Sequence, residues 1–382
     1  MNICIVSQQA KKIISGIGLY TKNLTIALNR DGHNVFLIVP KYQCPDWYDN
    51  NKIYLTPDPF WKNNQARWLP LSWHFSRALQ HVSTELQIDL IHFTDAREAF
   101  FTFLNIPKIG NVNDTYSAQA NHLRRYKNHF QDYYLRLFYY SIVKKAEICT
   151  YPRLDALIAN SKYTANAILK NYQIDSSKLY ICYKSISSDR IINRDETEHG
   201  KLKTILFVGS NMQRKGLSTL IEAAKILEEI GVLYDYWIVG DDPKMYIYEE
   251  KCKSLGIREQ FNFLGWKSQD ELLSLYRAAD IFVMPSLEEA FGVAILEALA
   301  AGLIVVSSSV GGIPEIISNN KNGYLIEPDN PQELAKRLVH ITNNPEEAQK
   351  IIEEGYKTVK QFTVEKMVEQ TYKIYSDVLI RK

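Results

Sequence analysis

The sequence predicts an α/β protein built from two doubly wound, Rossmann-like parallel sheets. Short apolar runs alternate with amphipathic stretches along both halves of the chain, which is the pattern of strands joined by covering helices. The length of 382 residues is too great for one hydrophobic core and suits two domains of ordinary size. A polar, charged stretch without periodicity, residues 187–201, separates the halves and is typical of a linker.

Each strand is expected where a short apolar run is bounded by turn residues. In the first half these runs are Ile3–Val6, Val35–Val39, Leu90–Phe93, Ile109–Val112 and Ala156–Ala159. In the second half they are Ile205–Val208, Trp237–Val239, Phe261–Leu264, Ile281–Met284, Leu303–Val306 and Tyr324–Ile326. We therefore expect an N-terminal domain over 1–187, a linker over 188–201, a second domain over 202–360 and a C-terminal helix within 361–382. Parallel sheets bind ligands at the carboxyl ends of their strands, so chemistry is expected in a cleft between the two domains.

Composition excludes several classes of protein. Hydrophobic residues make up 46% and charged residues 23%, as in soluble globular proteins, and no run reaches the roughly 18 apolar residues of a membrane-spanning helix. The first residues lack the features of a signal peptide. The five cysteines are scattered without a C-x-x-C pair, which argues against a disulfide framework or zinc ribbon and indicates a cytoplasmic location.

The net charge of +2 hides an asymmetry between the halves. Residues 1–187 hold 22 basic and 13 acidic residues, whereas the remainder holds 23 and 30. A basic half attracts anionic partners, and the cluster Arg124, Arg125 and Lys127 suggests peripheral contact with the inner face of a membrane; a solvated basic face is the competing interpretation. Aromatic residues near this cluster, including Tyr134 and Phe138, have the spacing of a buried helical stripe.

The strongest local signal is the segment P-S-L-E-E-A-F-G-V-A-I-L-E-A-L-A-A-G, residues 285–302. A strand ends, a loop follows, and a helix begins near Val293, where Gly292 lets a ligand approach backbone N–H groups that favour an anion such as a diphosphate. Glu297 lies inside an apolar helix, where a carboxylate needs hydrogen-bond donors such as ribose hydroxyls. Glu289, before the helix, is then placed to meet a sugar; two ordinary surface carboxylates are the alternative.

Two further loops follow strand ends. In F-V-G-S-N-M-Q-R-K-G, residues 207–216, Arg214 and Lys215 are placed to neutralise a departing nucleoside diphosphate, although a solvated loop is also compatible with them. The segment I-S-G-I-G-L-Y-T, residues 14–21, resembles a dinucleotide fingerprint but has Thr21 at the third glycine position, and no acidic residue ends the second strand. NAD binding is therefore disfavoured, and Gly16 and Gly18 form either a phosphate-approaching loop or a plain turn. No D-x-D, H-x-x-x-H or H-E-x-x-H pattern occurs, so we expect no metal and no cofactor.

These motifs resemble glycosyltransferase family 4. E-E-A-F-G-V-A-I-L-E-A-L-A-A-G is similar to its E-x7-E signature, F-V-G-S-N-M-Q-R-K-G to its phosphate-binding segment, and D-G-H-N-V to its early G-H-x-V turn. The resemblance implies a GT-B fold, in which the C-terminal helix packs back on the N-terminal domain. It also implies metal-independent, retaining hexosyl transfer from a UDP- or GDP-sugar type of donor to a glycan or lipid-linked saccharide, as in polysaccharide biosynthesis. It assigns catalytic roles to Arg214, Lys215, Glu289 and Asp114. It assigns donor binding to Gly16, Gly209, Phe291, Gly292, Val293 and Glu297.

Two departures from the family pattern lie in the first half. The family often has His-Asp after the strand ending at Val112, where this chain has Asn113-Asp114, and an H-x-H after the third strand, where this chain has His92-Phe93-Thr94. Asparagine cannot shuttle a proton, so that role is absent, altered or passed to Asp114. A nucleotide-sugar-binding protein without turnover and a GT-B sugar-nucleotide epimerase therefore remain as alternatives, with the paired glutamates favouring the transferase.

Overall fold

A computed structural model describes residues 1–11, 16–59, 67–114, 130–187, 190–191 and 202–381, except for the side chains of 130–133, 135 and 136. The basic cluster Arg124, Arg125 and Lys127 and most of the expected linker over 188–201 lie outside these residues. The chain divides into two compact units, Met1–Lys184 with Val364–Lys382, and Ser185–Thr363. No helix in the described ranges is long and apolar enough to cross a membrane.

The first unit contains a seven-stranded parallel sheet. Its strands are β1 (Asn2–Val6), β2 (Asn34–Pro40), β3 (Ile53–Thr56), β4 (Leu90–Phe93), β5 (Lys108–Val112), β6 (Ala156–Ala159) and β7 (Leu179–Ile181), in the spatial order 3-2-1-4-5-6-7. The sequence analysis did not identify β3 and β7. Both lie at the edges of the sheet and are half-buried or exposed along most of their length, so they lack the continuous apolar run of a central strand.

The second unit contains a six-stranded parallel sheet, and all six strands match the apolar runs of the sequence. They are β8 (Thr204–Val208), β9 (Asp235–Val239), β10 (Phe261–Gly265), β11 (Ile281–Met284), β12 (Ile304–Ser308) and β13 (Tyr324–Ile326), in the order 10-9-8-11-12-13. The strand order reverses between β8 and β11, which pair directly. Doubly wound sheets bind ligands outside the carboxyl ends of strands at such a switch point.

Twelve α-helices connect or flank these strands in the described ranges. They are α1 (Gly16–Arg30), α2 (Trp68–Glu85), α3 (Phe130–Thr150), α4 (Lys162–Asn171), α5 (Met212–Lys215), α6 (Leu217–Glu229), α7 (Met245–Ser254), α8 (Gln269–Ala278), α9 (Val293–Ala300), α10 (Pro331–Asn343), α11 (Pro345–Val359) and α12 (Val364–Ile380).

The last helix, α12, is part of the first unit although it follows the second in sequence. Its buried residues join the core formed by β1, β2 and α1, and the Tyr375 hydroxyl is 2.7 Å from Nδ1 of His92 on β4. The unit boundaries fall at Ser185 and Thr363, instead of at 187 and 360 as the sequence suggested. The reason is a contact between distant segments, in which the Ile186 N–H donates to the Phe362 carbonyl at 3.0 Å.

Two aromatic residues of the stripe that spacing suggested on α3 are exposed among those whose side chains the structure describes. Tyr134 is 51% exposed and Phe138 is 69% exposed, whereas Val143 and Ala146 of the same helix are buried. Aromatic residues occur all round this helix, so spacing alone does not identify the face that meets the core.

Candidate functional site

The candidate donor site of the second unit lies where β8 and β11 end side by side. The chain leaves β8 through Gly209 and enters the short helix α5, which carries Arg214 and Lys215 in its last turn. Asn211 caps this helix by accepting a hydrogen bond from the Arg214 N–H at 3.0 Å. The two cations are therefore held by local backbone geometry at the carboxyl end of a central strand.

Two glycines allow this turn to pack closely. Gly216 separates α5 from α6 in the left-handed region, with φ of 80°, and a Cβ there would lie 1.9 Å from the Pro285 carbonyl oxygen. A Cβ at Gly209 would lie 2.8 Å from Cγ of Lys215. The Lys215 side chain consequently packs against Gly209 at the end of β8, in space that a side chain at position 209 would occupy.

Glu289 and Lys215 form a buried ion pair at this switch point. The Lys215 ammonium donates to Oε2 of Glu289, and Arg214 Nη1 lies 3.8 Å from the same oxygen. Burial opposes ionisation of Glu289. The charges of Lys215 and Arg214, together with hydrogen bonds from the Lys215 ammonium and the Phe291 N–H, outweigh burial, so the pKa of Glu289 lies below its ordinary value. Burial lowers the pKa of Lys215 in turn, and the Glu289 carboxylate opposes that change.

Helix α9 begins directly after the Glu289 loop. Gly292 precedes it with φ of 108°, and Val293 is its first residue. The Phe291 side chain is buried and lies 5.8 Å, centroid to centroid, from the ring of Phe362. Phe291 therefore anchors the loop in the core, and its backbone N–H donates to the Glu289 carboxylate. Gly292 and Val293 follow at the start of the helix, where backbone N–H groups lack helical partners.

Glu297 is held by two donors that the sequence analysis did not identify. Arg190 Nη1 lies 3.2 Å from its Oε1 atom, and the Tyr276 hydroxyl donates to Oε2 at 3.2 Å. Burial raises the pKa of Glu297, and the Arg190 charge and the Tyr276 bond oppose that rise. The position of Glu297 in an apolar helix predicts that it has hydrogen-bond donors. It does not identify them, because Arg190 lies 107 positions from Glu297 in the sequence.

Gly16 and Gly18 do not form a loop in the described residues. Gly16 is the first residue of α1, and Gly18 is buried in its first turn. The segment 12–15 before them lies outside the described residues. Gly16 belongs to the first unit and Glu289 to the second. The contacts among Arg214, Lys215 and Glu289 therefore do not involve Gly16.

Asp114 lies at the carboxyl end of β5 in the first unit. Its Oδ1 atom accepts from Nη2 of Arg97 at 3.4 Å, and the same guanidinium binds Asp95 at 2.6 Å. The neighbouring Asn113 amide donates to the Thr94 carbonyl at 2.9 Å. The structure thus links the carboxyl ends of the neighbouring strands β4 and β5, next to the point between β1 and β4 where the strand order of the first sheet reverses.

No group of three or more histidine, cysteine, aspartate or glutamate side chains suited to a metal ion occurs in the parts of the chain that the structure describes. The Glu289 carboxylate is bound by the cationic side chains of Arg214 and Lys215, and Asp242 accepts from the Met212 N–H at the start of α5.

This arrangement, with two parallel sheets and a cationic pair beside a glutamate-bearing helix, defines a GT-B glycosyltransferase. The Glycosyltransferase Family 4 model matches residues 14–190, and the model Glycosyl transferases group 1 matches residues 189–358. The chain belongs to the glycosyltransferase family that these two models describe in succession. The resemblance drawn from the signature segments is confirmed at this level.

Individual relatives and solved structures agree with this assignment. An uncharacterized glycosyltransferase of Methanocaldococcus jannaschii is 27% identical over 98% of both chains. D-inositol 3-phosphate glycosyltransferase of Corynebacterium glutamicum is 25% identical over 59% of this chain and 58% of its own length. The structure of sucrose-phosphate synthase from Thermosynechococcus elongatus matches with a TM-score of 0.84 over 100% of both chains at 18% identity, and that similarity confirms the GT-B fold.

Proposed function

We propose that this glycosyltransferase moves a hexosyl group, with retention and without a metal, from a nucleoside diphosphate sugar to a hydroxyl of a glycan or lipid-linked saccharide. The observation that carries the proposal is the buried Lys215–Glu289 pair, with Arg214 beside it, at the switch point of the second sheet. A structure similar to this one, Anabaena HepE at a TM-score of 0.73 and 18% identity over 98% of this chain and 99% of its own, is described in complex with UDP and glucose. Turnover of a panel of nucleotide sugars tests the proposal.

In the proposed reaction, the bond between the anomeric carbon and the diphosphate oxygen breaks while the acceptor oxygen bonds to the same face of that carbon. The acceptor proton passes to the departing phosphate oxygen. Arg214, Lys215 and the N-terminus of α9 stabilise the negative charge that develops on the diphosphate. Glu289 binds hydroxyls of the transferred sugar, and Glu297 binds the ribose. Asp114 is the candidate group on the acceptor side.

Chelation tests the metal independence. Because fixed cations replace a D-x-D site, EDTA should leave donor turnover nearly unchanged. A loss of more than about tenfold, which is about 1.4 kcal/mol of barrier, restored by manganese or magnesium, would contradict the role assigned to Arg214 and Lys215.

Glutamine substitutions separate the roles of the two glutamates. Glu297→Gln keeps the side-chain shape but removes the charged acceptor, so it should weaken nucleoside diphosphate binding by about 1.5–3 kcal/mol, as for hydrogen bonds to charged groups. Glu289→Gln should mainly reduce turnover, because its proposed ligand is the sugar. Calorimetry with the diphosphate alone measures the difference, and equal weakening by both variants would refute the division of roles.

A binding protein without turnover is the second candidate. It is favoured by Asn113, whose amide is committed to the Thr94 carbonyl and which cannot carry charge. A donor that binds but is neither hydrolysed nor transferred would establish this alternative. Turnover of any donor would exclude it.

We further propose peripheral contact of the first unit with an anionic membrane. Phe138 and Ile142 are exposed on one side of α3, and Lys145 projects from the same side at helical spacing. Exposed aromatic and aliphatic side chains next to lysines are the chemistry of helices that lie in a membrane interface. Such contact would bring a lipid-linked acceptor to the enzyme.

Vesicle co-sedimentation tests this contact. The wild type should bind vesicles rich in phosphatidylglycerol, and binding should fall with salt because exposed charges are screened over about 10 Å at 0.1 M. The double variant Phe138→Ser/Ile142→Ser and the variant with glutamine at Arg124, Arg125 and Lys127 should each bind less.

The matched control is Ile230→Ser/Leu233→Ser, which removes two exposed aliphatic side chains from the second unit. Equal loss in this control, or no vesicle binding by wild type at low salt, would refute the membrane proposal.

A further inference from the structure

The Glu297 carboxylate is enclosed by side chains from two other segments of the second unit. Arg190 comes from the short segment that opens this unit, and Tyr276 comes from α8. The Arg190 and Glu297 side chains are only 18% and 17% exposed, so the pair is largely removed from water. The Tyr276 hydroxyl also lies 3.4 Å from the Ala294 carbonyl, one turn before Glu297. Each oxygen of the carboxylate therefore has a fixed donor.

The Glu297 carboxylate keeps acceptor capacity beyond the bonds from Arg190 and Tyr276. Its two oxygens offer about four lone-pair sites, of which Arg190 and Tyr276 each use one. Arg190, Tyr276 and Glu297 line a small, partly open pocket together with Gln269, Leu272 and Leu273. A ribose that binds Glu297 must use the other lone pairs, whose directions depend on how the carboxylate is held.

From these contacts we infer that Arg190 is a positioning residue for the donor ribose, which orients the Glu297 carboxylate and keeps it ionised for the ribose hydroxyls. This inference rests on the proposed function, because it assumes that Glu297 binds the ribose of a nucleoside diphosphate sugar. It assigns a functional role to a residue outside the motifs of the signature segment.

The electrostatics of the pair agree with this role. Burial favours the neutral form of Glu297 and raises its pKa, whereas Arg190 and Tyr276 favour the carboxylate. These two groups are the charged or titratable ones that face Glu297 among the described elements packed around it. Without Arg190 the pKa of Glu297 should rise further, because a buried carboxylate would keep only one neutral donor. Nucleotide binding would then improve as the pH is raised.

Calorimetry on the full chain tests the inference, with UDP, GDP and ADP as probes and the 2′-deoxy form of the best binder for comparison. Wild type should bind the ribose form about tenfold or more tightly than the 2′-deoxy form, because the deoxy form lacks a hydroxyl that donates to the charged Glu297 acceptor. Arg190→Ala should bind the ribose form about tenfold more weakly and lose most of the preference. Its binding should strengthen more steeply with rising pH than that of wild type, and Arg190→Lys should recover part of the loss.

The control variant is Arg30→Ala, which removes an arginine from an exposed ion pair in the first unit. It should match wild type in affinity, preference and pH profile. An Arg190→Ala variant that binds as tightly as wild type with the preference intact, or more tightly because the arginine competes with the ribose, overturns the inference alone. If wild type binds none of the three diphosphates, the proposed function fails and this inference with it.

Discussion

Replacing Lys215 by methionine should reduce kcat by about 10²–10³, the effect of removing one preorganised donor from a developing negative charge. Lys215 is positioned by the α5 turn, lies across Gly209 and is largely buried, so its ammonium acts where water screens little. Methionine keeps most of the side-chain volume and removes only the charge. Initial rates with a saturating donor measure the effect.

A second variant separates catalysis from folding. Lys215→Met leaves Glu289 buried without its main partner, and loss of one member of a buried pair costs about 3–5 kcal/mol of folding stability. The double variant Lys215→Met/Glu289→Gln removes that uncompensated charge, so it should recover thermal stability while turnover stays low. Its turnover should lie well below that of Glu289→Gln alone, and equal turnover of these two variants would show that Lys215 has only a structural role.

The control for both variants is Lys225→Met. Lys225 pairs with Glu228 on α6 in the same unit, but both side chains of this pair are partly exposed and the pair joins residues of one helix only. Exposed pairs contribute about 0–1 kcal/mol, so this variant should keep the stability and turnover of wild type.

The second large effect is expected from Gly311→Ala, which should destabilise the second unit by about 2–5 kcal/mol from the combined left-handed and overpacking costs. Gly311 has φ of 58°, and a Cβ there would lie 1.7 Å from the carbonyl oxygen of Glu289. That same oxygen accepts from the Gly312 N–H at 3.0 Å. The loop carrying Glu289 must therefore move, and turnover should fall even in the fraction that remains folded.

Gly256→Ala isolates the backbone contribution. Gly256 has φ of 74°, similar to Gly311, but an added Cβ would meet nothing within 4 Å. It should cost only the left-handed strain of about 1–2 kcal/mol and leave turnover unchanged. Chemical unfolding and initial rates on both variants give the comparison. If Gly311→Ala and Gly256→Ala lost the same stability, the close contact with the Glu289 carbonyl would not contribute to the destabilisation.

The sequence by itself determined the central strands of both sheets, the helix that follows the Glu289 loop and the family. Strands covered on both faces are continuous apolar runs, so their positions are local properties of the chain. The placing of Arg214, Lys215 and Glu289 at strand ends is equally local. The resemblance of these segments to the family implied that the charges share a donor site, and the structure brings them together.

Only the tertiary structure decided which distant side chains complete the site and the units. The pairing of Arg190 with Glu297 and the bond from Tyr375 to His92, 283 positions apart, have no local pattern in the sequence. The sequence also has no local pattern that identifies the exposed face of α3, because aromatic positions recur all round that helix. Local periodicity encodes which residues can be buried, whereas the partner of a buried polar group depends on the path of the whole chain, because that path alone brings the two groups within hydrogen-bond distance.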